Sequence, residues 1–169
     1  MGDSPSLSFM PAFNDSYVEG IFQQFATFVK VIAARPATLF TFAPILDGTF
    51  LRERPVEAFK NGHFAKVPVL FGSNTNEGAE WSASLSDASA NTSMPNATET
   101  TVYNFLRGQF ASLTRTSFDQ AVAEHYPLSD FANFSLQGQQ MYGEMRYICT
   151  AELVSGAAFA HGSGAFQFQ

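Results

Sequence analysis

Three histidines, one cysteine and fifteen acidic side chains are what this chain of 169 residues offers for acid–base, nucleophilic or metal chemistry, beside its hydroxyls. A serine nucleophile needs a base and an acid brought to it by the fold. The Gly-x-Ser-x-Gly pentapeptide that exposes such a serine at a strand-to-helix turn does not occur. Gly2-Asp3-Ser4 has the form of a shorter serine block, but the buried strand such a block requires is missing before it, so it reads as a terminal turn. His63 follows Asn61-Gly62 in a turn, His125 closes a helix where a cation complements the dipole, and His161 precedes Gly162-Ser163-Gly164, a helix stop. Each has an ordinary structural reading, and no histidine pair has metal-ligand spacing. Cys149 stands alone, which excludes an internal disulfide and a thiolate metal cage. Glu77 is the residue best placed for chemistry. It lies in Gly72-Ser-Asn-Thr-Asn-Glu-Gly78, just beyond an apolar run, and ligands in open parallel sheets bind beyond the carboxyl ends of strands. A carboxylate there can orient a histidine through Nδ1–H; the other reading is an acid that simply opens the next helical turn.

The elements that would position these residues alternate in kind. Ser16-Tyr-Val-Glu19 is a capping box, and Val18, Ile21, Phe22, Phe25, Phe28, Val29 and Ile32 form one apolar helical face, stopped by Arg35-Pro36. Leu39–Pro44 alternates and is β-rich, followed by a turn at Asp47-Gly48. Pro55–Asn61 fits a short helix with Gly62 as its stop. Lys66–Gly72 is a brief continuous apolar run and predicts a buried parallel strand, with Pro68 near its start. Ser82–Thr100, rich in small polar residues, predicts an exposed loop. Helical patterning returns over Val102–Leu113, over about Ser117–His125, and in two pieces across Phe131–Ala160. Ala165–Gln169 reads as a strand that reaches the last residue without a turn, which predicts further sequence. The order is an α/β pattern.

Composition narrows the function classes. The net charge is −6, charged residues make up 14% and aromatics 15%, with 19 Phe. A low-charge, aromatic-rich chain argues against disorder and against nucleic acid, which wants a basic face. No stretch approaches the length of a membrane span. Met1–Phe13 has no basic region followed by an apolar one, so no signal peptide is read there; Gly2 and Ser6 fit a loose myristoylation pattern that arises often by chance. Asn-x-Ser/Thr sequons at Asn14, Asn91, Asn96 and Asn133 exceed the roughly 1.3 that chance supplies, which fits a secreted parent protein.

Four blocks in order resemble the type-B carboxylesterase/lipase family, cholinesterase-like and particularly its fungal members: Phe42–Leu51 with its Pro-x-x-Asp-Gly, Gly62–Gly78 ending in Glu-Gly, His125-Tyr-Pro127, and Arg146-Tyr-Ile-Cys149. The resemblance implies an incomplete α/β-hydrolase fold, short parallel strands with a helix-rich C-terminal half, as one partial domain over residues 1–169. It implies that Glu77 is the acid of a Ser–Glu–His triad in a secreted hydrolase of small-molecule or lipid esters that needs no cofactor. The nucleophile elbow and the glycine-rich oxyanion loop would come before Met1. Asp3-Ser4-Pro5 is similar to the segment just after the elbow. The catalytic histidine would follow Phe166–Gln169, so His161 sits too early. The chain departs from the family in a shortened loop between Phe28 and Phe40 without cysteine, and in Thr150 where Pro is usual. The expectation is a middle-to-C-terminal fragment, inactive alone; the alternative is a non-catalytic, truncated or partner-binding relative.

Overall fold

The computed structural model describes residues 37–40 and 44–168. The expected helix over Val18–Ile32, the Ser16 capping box, Ser4, Asn14 and the centre of the Leu39–Pro44 run lie outside the described residues. Leu39, Phe40 and Pro44 themselves are not in a strand.

The molecule is helix-rich with one short parallel sheet, an α/β arrangement. The first described helix is α1, Pro55–Asn61, with Pro at its start and Gly62 at φ 75° as its C-cap. The left-handed conformation there favours glycine. Strand β1, Val69–Gly72, pairs in parallel with β2, Ala165–Phe168, with Leu70 opposite Phe166 and Gly72 opposite Phe168. The Val69 N–H donates to Gly164 O and the Ser73 N–H to Phe168 O, which carries the ladder one step past each end. Between the strands run α2 (Glu99–Gln109), α3 (Arg115–His125), α4 (Phe134–Gly143) and α5 (Cys149–Ala160). A π-helical turn, Glu144–Ile148, joins α4 to α5 without a break in direction.

Side-chain caps fix where the helices begin. Thr98 accepts from the Thr101 N–H while Thr101 Oγ1 accepts from the Thr98 N–H, and Thr114 and Ser117 repeat the arrangement at α3. Asn133 Oδ1 accepts from the Leu136 N–H at 3.0 Å and opens α4. Each cap satisfies backbone donors that the first helical turn leaves orphaned. The core lies among these helices: Val102, Phe105, Leu106, Phe118, Met141 and Tyr142 are sealed from solvent.

Two sequence expectations need correction. Ser82–Thr100 is a loop for most of its length but is exposed only in part. Trp81–Ser84 forms a 3-10 turn, and Ser82, Leu85, Ala90, Asn91 and Thr92 are buried. The segment seals its own polar groups: Ser82 Oγ and Thr92 Oγ1 share a hydrogen bond at 2.7 Å, and the Asn91 amide donates to Leu85 O. Buried polar groups that are paired in this way cost little. Nor is the Val67–Gly72 run buried, since Val67 is 54% and Leu70 68% exposed. A continuous apolar run implies cover on both faces of a sheet. Here Val69, Phe71 and Ala165 are half-buried, while Leu70, Phe166 and Phe168 face solvent.

Candidate functional site

Glu77 sits five residues past the end of β1, in the turn that leaves its carboxyl end. It does not open a helix; residues 75–80 form successive turns. Its carboxylate folds back on the chain. The Asn74 N–H donates to Glu77 Oε1 at 2.6 Å, and Asn74 Nδ2 donates to the same oxygen at 3.2 Å. Hydrogen bonds to an ionised acceptor are shorter and stronger than neutral ones, so they hold the side chain in one place.

The turn is closed on itself by one hydrogen bond and seated on α4 by two contacts. Trp81 Nε1–H donates to Glu77 O at 2.8 Å, and Asn76 Nδ2 donates to Gln139 Oε1 at 3.1 Å. Gly78 is buried directly against the helix: a Cβ there would fall 1.7 Å from Gln139 O. Glu80, next in the turn, is held at φ 63°, a left-handed conformation uncommon for a residue with a side chain. It reverses the chain so that Trp81 returns over the turn.

The other residues singled out in the sequence lie elsewhere. His63 Nδ1 is 2.7 Å from Glu53 Oε1, and His161 Nε2 is 3.0 Å from Lys60 O, its ring closing over Gly62. His125 ends α3 beside Glu124. None of the three bonds to Glu77. Cys149 is exposed, and partial burial with the Glu144 charge nearby raises its thiol, which disfavours the reactive thiolate. Asn96 and Asn133 are exposed, while Asn91 is buried with its amide engaged. Among the described residues no group of three or more His, Cys, Asp or Glu could hold a metal ion, and no helix is long and apolar enough to cross a membrane.

A depression of about 220 Å³ opens at the carboxyl ends of both strands, lined by Gly72, Ser73, Ile148, Glu152, Gln167 and Phe168 among others. Glu77 is not among its lining residues. The exposed Phe168 ring lies over Gly72: a Cβ there would fall 2.1 Å from the ring, which would have to swing aside. Sequence reasoning did not find Asn74, Trp81 or the Gly78 contact. The Asn-x-x-Glu spacing of residues 74–77, which lets an amide close on a carboxylate, is the signal that could have found the first.

A strand, a tight turn carrying Glu77, and a helical layer that holds the turn make a scaffold on which an acid could orient a base. Residues 8–168 match the carboxylesterase family, and the chain belongs to it. Among curated proteins it is similar to a fumonisin B1 esterase of Sphingopyxis macrogoltabida, 34% identical over 119 residues. That match covers 69% of this chain and 19% of the relative, so the aligned region spans about a fifth of the relative's length. No solved structure matches the chain.

Proposed function

We propose that the chain is part of a serine carboxylic-ester hydrolase, a single partial α/β-hydrolase domain in which Glu77 is the triad acid. The observation that carries the reading is Glu77 in the turn after β1, inside the region that matches the family. The parallel pairing adds support. Gly72 and Phe168 are register partners, so chain continuing past β2 leaves at the same sheet end as the Glu77 turn. A histidine from that side would meet the carboxylate through Nδ1–H. The acid would then hold the imidazole's tautomer and stabilise the imidazolium as a serine attacks an ester carbonyl. That serine and that histidine belong to parts of the domain outside these 169 residues. The substrate is a small-molecule or lipid ester, in keeping with the name of the similar esterase. The protein is secreted, and the exposed Asn96 and Asn133 are its glycan acceptors.

The test is turnover of p-nitrophenyl butyrate. In a form of the protein spanning the whole carboxylesterase domain, Glu77→Gln lowers kcat by at least about a hundredfold with the fold intact, since loss of a triad acid costs several orders of magnitude. Glu77→Asp, which keeps the charge, is milder. The 169-residue chain gives no turnover that Ser4→Ala abolishes. An unchanged rate in the Glu77→Gln enzyme refutes the assignment.

A further inference from the structure

The contact between the Glu77 turn and the end of α4 is closer than packing alone requires. Gly78 and Gly143 face each other backbone to backbone. A Cβ on Gly143 would lie 2.9 Å from the Gly78 N, and one on Gly78 would lie 1.7 Å from Gln139 O. Neither position has room for a side chain, and the atoms in the way are backbone, which cannot swing aside. Gly78 adjoins Glu77, so whatever lifts Gly78 off the helix carries the carboxylate with it.

The π-helical turn begins immediately after Gly143. In a regular α-helix, residues five apart are rotated by roughly 140° and look away from each other. A π-helical turn closes from i to i+5 and brings such residues to one side. Tyr142 and Tyr147 are five apart, and their rings meet at 6.2 Å. Both also meet Trp81, at 6.0 and 6.4 Å, with Tyr147 stacked on it at 25°. Phe40 closes a further side of the indole at 5.6 Å, itself covered by the Arg146 guanidinium at 4.3 Å. The π-helical turn therefore builds a ring-lined slot for Trp81, and the indole N–H in that slot holds the Glu77 carbonyl. π-Helical turns cost hydrogen-bond regularity and occur frequently at functional sites.

We infer that Gly143 and Trp81 are positioning residues for Glu77: the glycine lets the turn seat on α4, and the indole fixes its backbone. The inference rests on the reading of Glu77 as the triad acid. Its test separates the seating from that reading.

Trp81 is the only tryptophan, so the 15N-labelled 169-residue chain has a single indole N–H signal, and the Asn74 amide reports directly on the carboxylate it donates to. In the unaltered chain the Asn74 amide lies downfield, and Glu77→Gln moves it upfield. In Gly143→Ala the Asn74 signal already sits upfield, Glu77→Gln no longer moves it, and the indole signal shifts, while signals of Phe105 and Phe118 stay in place. Trp81→Phe keeps a ring in the slot and removes only the donor; it gives the same loss of response in smaller measure, and decides the matter if Gly143→Ala does not fold. An Asn74 amide that responds to Glu77→Gln equally in all three folded backgrounds overturns the inference. In the whole-domain enzyme, Gly143→Ala lowers kcat at unchanged KM, as Glu77→Gln does. Full rate in Gly143→Ala beside a dead Glu77→Gln enzyme rejects the positioning role and leaves the triad reading standing. Full rate in both, with the Asn74 response lost, rejects the triad reading alone.

Discussion

Phe105 and Phe118 are 1% and 0% exposed, whereas Phe166 and Phe168 in β2 are 64% and 62% exposed. The helical layer α2–α4 closes on itself. Phe105 packs on Tyr142 at 5.1 Å and Phe118 edge-on to Tyr103 at 5.4 Å, and Thr98, Thr114 and Asn133 cap the helix starts. The β1–β2 pair has α5 on one side, where Val154 and Ala158 are buried, and solvent on the other, where Leu70, Phe166 and Phe168 share a face. Parallel strands are ordinarily covered on both faces, and two strands alone are marginal in water. The difference teaches which part of the chain is self-sufficient. The helices hold their own core, while the sheet has the open face expected of a slice of a wider one. This fits an alignment that covers 19% of the similar esterase. Glu77 stands at the join, carried by the open-faced sheet but fixed by the self-packed helices.

The largest expected effect lies in the self-packed half. Phe105→Ala removes a sealed ring from the core and should cost about 3–5 kcal/mol, read as a lowered midpoint in denaturant unfolding. A loss below 1 kcal/mol would show that the helical layer is not the stabilising half.

The next effect is pH-dependent. Burial pushes the Tyr142 phenol up to about 12, partly offset by the Arg146 charge and reinforced by the neighbouring Tyr147, and its hydroxyl meets no hydrogen-bond partner of good geometry among the described residues. Below pH 10 the phenol is protonated in both folded and unfolded chains, so it confers no pH dependence. Above that, the unfolded chain sheds its proton first and is favoured. Stability should therefore fall between about pH 10 and 12, by on the order of 2 kcal/mol from this residue. Tyr126, raised in the same direction by burial and its hydrogen bond to Glu144, adds to the fall. Tyr142→Phe should flatten the alkaline decline without abolishing it. It should leave stability at pH 7 unchanged or higher, because an unpartnered buried hydroxyl is a cost. Melting temperatures at pH 7 and 11 decide this.

How much of this was legible in the sequence follows the same division. The helices were readable because their apolar spacing reports packing against neighbours that the chain itself supplies. The starts of α2 and α3 read three and two residues late, because Thr98-x-x-Thr101 and Thr114-x-x-Ser117 cap with hydroxyls at both ends rather than with an acid. The parallel sense of β1 was readable from the long, helix-bearing connection to the next strand. Its burial was not, since an apolar run tells what a strand could be covered by and not what is present. Ser82–Thr100 misled through composition. Ala90 and Thr92 are small enough to enter the core, and a Cβ on Gly138 would only touch Thr92 at 3.4 Å. At the site, Glu77 was visible as an acid after a strand. Its support was not, because Asn76 and Gln139 meet across 63 residues of chain and periodicity carries no record of such a meeting.

The smallest effect is the sharpest test of the comparison, because it changes the same residue type in the other half. Phe166 opposes Leu70 on the open face and is 64% exposed. Replacing it with Thr introduces a β-branched residue suited to a strand and removes an apolar ring that solvent already reaches. Little burial is lost, so the stability of the 169-residue chain should stay within about 0.5 kcal/mol, against several for Phe105→Ala. The same substitution should reduce binding of a dye that reports exposed apolar surface, and raise solubility, because Leu70, Phe166 and Phe168 form one continuous patch. In the whole-domain enzyme the sign should reverse. If that face is covered there, Phe166→Thr removes a buried ring and the cost rises to 2 kcal/mol or more, on the order expected for core truncations. Equal small costs in both forms would mean that the face stays open in the complete domain, and the view of β1–β2 as part of a wider covered sheet would fail with it.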